Sequence, residues 1–174
     1  MPAVQHRGKE EHAMNGQSVA AALEAEHHEI NAGLAAFDQQ LAGGSWNAAL
    51  LHDAATALRR HIYIEEEFLF PALRELGMHA PVVVMLREHG EIWRVLDTIE
   101  QGGEQVTSGS ARQAYVRLAS LLDAHNEKEE QILYPAADSV LDDAELFRLN
   151  ELITSGALPA GWVCAHASST ESND

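Results

Sequence analysis

Cysteine, positive charge and long apolar runs are all scarce in this sequence, and each shortage excludes something. The single cysteine, Cys164, cannot form an internal disulfide and supplies no cysteine pair for a zinc site, so a free thiol is expected. Only 11 Lys and Arg stand against 27 Asp and Glu, a formal net charge of -16. Phosphate backbones and anionic membrane surfaces are bound through clustered basic side chains, so no nucleic acid and no membrane partner is expected. The surplus of carboxylates leaves room for internal acids balanced by a cation. No run approaches the roughly 18 apolar residues of a membrane span, and the polar stretch 1–16 lacks the apolar centre of a secretory signal. A cytoplasmic protein is the expectation. Strand-like alternation of useful length is missing, and no glycine-rich loop follows a strand to hold a phosphate.

What is present suits one all-helical domain: 174 residues, 46% of them hydrophobic, enough for a sizeable core. Residues 1–16 carry charge without helical apolar spacing and read as a mobile arm. The domain proper should span 17–156, with 157–174, rich in Ser, Thr and Asn at its end, as a C-terminal tail that Trp162 and Val163 dock locally. Ser18 caps a first helix with apolar residues at 23, 30, 34, 37 and 41, closing at Gly43-Gly44. Ser45 opens a second helix with an inward face of Leu51, Ala54, Leu58, Phe68 and Ala72, whose last turns Pro71 loosens. Pro81 suits the first turn of a third, with Val82, Met85, Ile92, Leu96 and Ile99 inward. A fourth starts near Ser110 and turns Leu118, Leu121, Ile132 and Ala136 inward. Asp142 or Asp143 caps a short fifth helix ending at Ser155-Gly156. Short connections favour antiparallel neighbours in an up-down four-helix bundle.

Each long helix interrupts its own apolar seam with a side chain that can bind metal. His27 falls on the first seam, His61 and Glu65 on the second, His89 on the third, and His125 and Glu129 on the fourth. Ionisable groups on a core face are costly unless paired or bound to a metal. Their heights agree. His27 lies roughly 16 residues before the first turn and His61 about 16 after it, so at ~1.5 Å per residue they return to one level. Glu65 and His89 lie roughly 12 and 10 residues from their shared turn, and His89 and His125 roughly 13 and 15 from theirs, within about two helical turns.

The chain also repeats itself. His61-Ile62-Tyr63-Ile64-Glu65-Glu66-Glu67-Phe68-Leu69-Phe70-Pro71 matches His125-Asn126-Glu127-Lys128-Glu129-Glu130-Gln131-Ile132-Leu133-Tyr134-Pro135. Glu26-His27-His28-Glu29-Ile30 likewise matches Glu88-His89-Gly90-Glu91-Ile92. Two copies, each giving a lone histidine and then a His-x-x-x-Glu pair, suggest two metal ions. Glu66, Glu130, Glu26 and Glu88 read either as solvated or as groups that orient a histidine. His28 falls beside the seam, and His52, His79 and His166 are assigned no chemistry. A lone helical His-x-x-x-Glu is ordinarily a surface ion pair. The bland alternative is a metal-free bundle whose core histidines are hydrogen-bonded to the glutamates.

At these residues, across about 23–136, the sequence resembles the hemerythrin family, specifically the bacterial hemerythrin-like HHE cation-binding domains. The resemblance implies a four-helix bundle with a non-haem di-iron centre, two iron ions joined by an oxo or hydroxo bridge and by carboxylates. Carried over residue by residue, the iron ligands would be His27, His61, Glu65, His89, His125 and Glu129, with Glu65 and Glu129 bridging. The family's oxygen carriers have a further histidine where Trp93 stands here. Two six-coordinate irons offer roughly twelve positions, of which four histidines, two bridging carboxylates and one bridging oxygen fill about ten. The expected function is therefore binding, sensing or reducing a small gaseous or peroxide ligand (oxygen, nitric oxide or peroxide) at open iron positions near Trp93, with a redox partner for turnover. The alternative is an iron or oxygen sensor, or an iron store, acting without turnover.

Overall fold

The computed structural model of the chain describes residues 18–103, 108–139 and 141–168, and the expected N-terminal arm, 1–16, lies outside them. Among the described residues every regular element is helical: α1 (Val19–Ala42), α2 (Ala48–Ile64), α3 (Phe70–Glu75), α4 (His79–Gly102), α5 (Ser108–Lys128), α6 (Tyr134–Asp138) and α7 (Asp143–Ser155). Single π-helical turns, Glu65–Leu69 and Glu129–Leu133, join α2 to α3 and α5 to α6. Four long helical segments result, with α7 packed against α1 and α2. Among the described residues no helix is long and apolar enough to cross a membrane.

Local chemistry sets the ends. The Ser18 hydroxyl accepts from the Ala21 N–H, 3.1 Å away, and satisfies one of the orphan donors at the start of α1. Gly44, at a φ of 82°, makes the reversal after α1 that a side chain would resist. The start of α2 differs from the expected Ser45, because the Asn47 side chain caps it by accepting from the Leu50 N–H. Pro81 sits in the first turn of α4, and α5 begins at Ser108, two residues before the expected Ser110. Asp142 and Glu145 form a reciprocal capping box at α7.

The π turns correct the sequence reading of two seams. Phe70 donates its backbone N–H to the Glu65 carbonyl, and Tyr134 donates to that of Glu129, five residues back rather than four. Pro71 and Pro135 follow directly; a proline has no N–H to give, and its ring clashes with the carbonyl four residues earlier in a regular helix. Widening the turn takes in one extra residue, so the inward face slips by one position. Leu69 and Leu73 are buried where Phe68 and Ala72 were expected, and Leu133 and Ala137 where Ile132 and Ala136 were. Ile132 is 51% exposed. The same slip carries Phe70 and Tyr134 fully into the core.

Two apolar clusters fill the bundle. One holds Ile30, Phe37 and Leu41 of α1, Leu51 to Ile62 of α2, Ile92 to Ile99 of α4 and Ala111 to Leu122 of α5. The other holds Val19 and Leu23 of α1, the stretch Ile64 to Leu73, Val82 to Leu86 of α4, and Leu133, Tyr134 and Ala137. The first cluster follows the histidine on α1 and α4 and, Ile62 apart, precedes it on α2 and α5. A polar layer therefore lies between two greasy ones, at mid-height on all four segments.

Candidate metal centre

That layer is made of His27, His61, Glu65, His89, His125 and Glu129, each no more than 3% exposed. Their donor atoms fall into two groups of four: His27, His61, Glu65 and Glu129, then His89, His125, Glu65 and Glu129. Within each group the atoms lie within 4.8 Å of one another. Both carboxylates belong to both groups. Glu65 turns Oε1 toward His61, at 3.4 Å, and Oε2 toward His89, at 3.2 Å. Glu129 turns Oε2 toward His27, at 3.4 Å, and Oε1 toward His125, at 3.2 Å.

Four more glutamates close a ring around this layer. Glu26 of α1 meets the Nδ1 of His61 on α2 at 3.1 Å, and Glu66 meets that of His89 on α4 at 2.9 Å. Glu88 of α4 meets His125 on α5 at 2.9 Å, and Glu130 returns to His27 on α1 at 2.8 Å. The two readings left open for these residues thus resolve: all four orient a histidine on the neighbouring segment. A histidine donating Nδ1–H to a carboxylate presents the lone pair of Nε2 to the interior, the arrangement metal-bound imidazoles use.

The interior is then short of positive charge. The His27 and His61 Nε2 atoms stand 3.0 Å apart, two lone pairs facing each other unless a proton or a cation lies between. Glu65 Oε2, Glu129 Oε1 and His89 Nε2 are buried without a hydrogen-bond partner. The 3.2 Å approach of Glu65 to His89 is close enough for an ion pair but lacks hydrogen-bond alignment. Of the six carboxylates, Arg60 and Lys128 pair with Glu26 and Glu88. Four negative charges remain, which two divalent ions would balance.

Without an ion, protons take their place. Burial alone lowers an imidazole pKa, yet at His125 the Glu129 charge and the bonds to Glu129 and Glu88 outweigh it and push the value up to about 10. Burial is likewise outweighed at His61, chiefly by Glu65, and at His89 by Glu65 and Glu66, and both imidazoles rise. Burial works to raise Glu65 and Glu129, but the facing histidines hold both below the usual carboxylate range.

Tyr134 is the residue that sequence reasoning missed, since it entered only as a member of the repeat and was given no role. Its hydroxyl donates to Glu65 Oε1 at 2.7 Å and stands 2.9 Å from His27 Nε2, 3.3 Å from Glu129 Oε2 and 3.4 Å from His61 Nε2. Burial and the two carboxylates keep its pKa well above 10. The signal was present in the repeat, where Tyr134 aligns with Phe70 and the copies differ by one hydroxyl. Trp93 is buried, with its ring against the Arg59 guanidinium at 5.0 Å and Trp162 at 5.8 Å. His28, His52 and His79 are exposed.

The segment after α7 is tied to this ring. The Ala165 N–H donates to Glu66 at 2.8 Å, Trp162 Nε1 to Glu67 at 2.9 Å, and Arg94 to the His166 carbonyl at 2.8 Å. Cys164 is buried, and burial pushes its thiol up to about 12. The approach over α4 requires Gly90, where an added Cβ would lie 2.5 Å from the His166 carbonyl oxygen. Glu66 is thus shared between His89 and the C-terminal segment. Glu66→Ala is expected to weaken metal binding by about 10- to 100-fold, the usual effect of losing such a partner, as read by competition with a chelator. An unchanged affinity would show that the Nδ1 contact does not matter.

A helical bundle carrying two joined clusters of buried His and Glu defines a metal-binding protein. The family model described as the hemerythrin HHE cation binding domain matches residues 18–137, and the chain belongs to that family. No curated protein and no solved structure matches it.

Proposed function

We propose that this is a non-haem di-iron protein that binds and reacts with a small ligand, oxygen, nitric oxide or peroxide, at an open iron position. His27 and His61 would hold one ion, His89 and His125 the other, and Glu65 and Glu129 would bridge them. The observation that carries this reading is the division of each carboxylate, one oxygen toward each histidine pair. Imidazole and carboxylate donors with open positions suit iron. Up-down chain direction through the four segments is part of the same reading, supported by the alternation of the two apolar clusters about the histidines.

Bound iron would supply the redox and ligand-binding chemistry. The chain's own residues shape what reaches it. A small cavity lined by Ile30, Leu58, Ile62, Ile92 and Leu122, with Asn31 and Asn126 as polar walls, reaches His27, His61 and His125. It has room for about one water-sized group. Its apolar lining keeps bulk water from the donor atoms, which strengthens every charge interaction inside.

A second reading, a sensor without turnover, draws on Glu66, because occupancy at His89 is coupled through that carboxylate to the C-terminal segment. Reduced, iron-loaded protein mixed with excess peroxide or nitric oxide separates the two. Catalytic consumption over many equivalents is expected for the first reading, and a single stoichiometric change favours the sensor. An iron-loaded protein whose spectrum responds to none of the three ligands would overturn both.

A further inference from the structure

The two donor groups are not equivalent. We infer that the Tyr134 hydroxyl is a fifth protein donor to the ion held by His27 and His61, which leaves the open position on the ion held by His89 and His125. The inference rests on the di-iron reading above.

Donors at about 2.1 Å from one ion and at right angles to each other stand roughly 3.0 Å apart. The Tyr134 oxygen lies 2.7, 2.9, 3.3 and 3.4 Å from Glu65 Oε1, His27 Nε2, Glu129 Oε2 and His61 Nε2. These are separations between neighbouring corners of one octahedron, with Tyr134 adjacent to all four other donors. The carboxylate oxygens it meets are those facing His27 and His61, while the oxygens facing His89 and His125 are the unpartnered ones. The hydroxyl therefore serves one ion position only.

The other position has an aromatic ring in the matching place but no oxygen. Tyr134 lies beside His27 with ring centroids 5.5 Å apart, and Phe70 lies beside His89 at 5.4 Å. Both residues stand one position before the proline of their repeat, and the π turns swing both inward. Counting Tyr134, about eleven of roughly twelve positions are filled. When an ion binds, the phenol proton leaves to water and the oxygen's charge goes to the ion, with no change of oxidation state.

The test uses the full chain loaded with iron and oxidised to the ferric state, grown with ordinary or ring-deuterated tyrosine, and read by visible absorption and resonance Raman. A phenolate-to-iron charge-transfer band is expected, with enhanced ring modes that shift on deuteration. Tyr134→Phe should keep two irons and lose both signals. Phe70→Tyr should intensify the band and lose azide binding, because its new hydroxyl fills the open position. Wild-type protein with two irons but no deuterium-sensitive modes overturns the assignment of Tyr134 and leaves the di-iron reading standing, as do modes that persist in Tyr134→Phe. Wild-type protein that takes up no iron overturns the di-iron reading and this assignment together.

Discussion

Glu65→Gln is expected to empty both ion positions rather than one. The substitution keeps the side chain's shape inside a buried layer but replaces one oxygen with an amide that donates and removes the charge. Since Glu65 Oε1 faces His61 and Oε2 faces His89, neither group keeps its full set of acceptors. Metal content after dialysis should fall at least about tenfold, the lower end of what losing a supporting partner alone costs. His89→Ala makes the contrast, because His89 belongs to one group only. That variant should retain about half the wild-type metal. Helicity by circular dichroism confirms that both variants fold, and a Glu65→Gln protein that still holds its full complement would show that the carboxylate does not span the centre.

Chelation should have the second largest effect, and it should depend on pH with a definite sign. A ligand that binds only the folded chain at about 1,000 times its Kd adds ~4.1 kcal/mol. For a chain of this size that moves Tm by roughly 8–16 °C. Removing the ions transfers the balancing charge to protons on His61, His89 and His125, whose pKa values are raised in the ion-free fold. His125 is raised from 6.5 to about 10, so its contribution is fully present below about pH 6.5 and is lost as pH climbs through 10. Glu65 and Glu129 are depressed, so theirs is present above about pH 4.5 and is lost as pH falls. The chelated protein should therefore lose Tm steadily between pH 7 and 10, while the loaded protein holds it, and loading near neutral pH should release protons. Equal alkaline melting curves with and without chelator would contradict this.

The layer was legible in the sequence because helical spacing is a strict ruler. A histidine at 27, 61, 89 or 125 on an apolar seam must face the core, and turn positions alone fix its height. Misjudged residues lay just beyond Glu65 and Glu129, where a 3.6-residue period was carried through a turn that Pro71 and Pro135 widen. The seam slipped by one position there, and Phe70 and Tyr134 were hidden with it. Partner choice was also out of reach, since Glu26 reaches His61 on another segment rather than its neighbour His27. Where the copies disagree they were more informative than where they match. His28 opposite Gly90 marks the face that the C-terminal segment covers, and Phe70 opposite Tyr134 marks the difference between the two donor groups.

An anomalous difference map from crystals of iron-loaded protein, collected at the iron edge, tests the two-ion centre most directly. Two peaks are expected, one between His27 and His61 and one between His89 and His125, each beside Glu65 and Glu129. A single peak, or none in this layer, would contradict it.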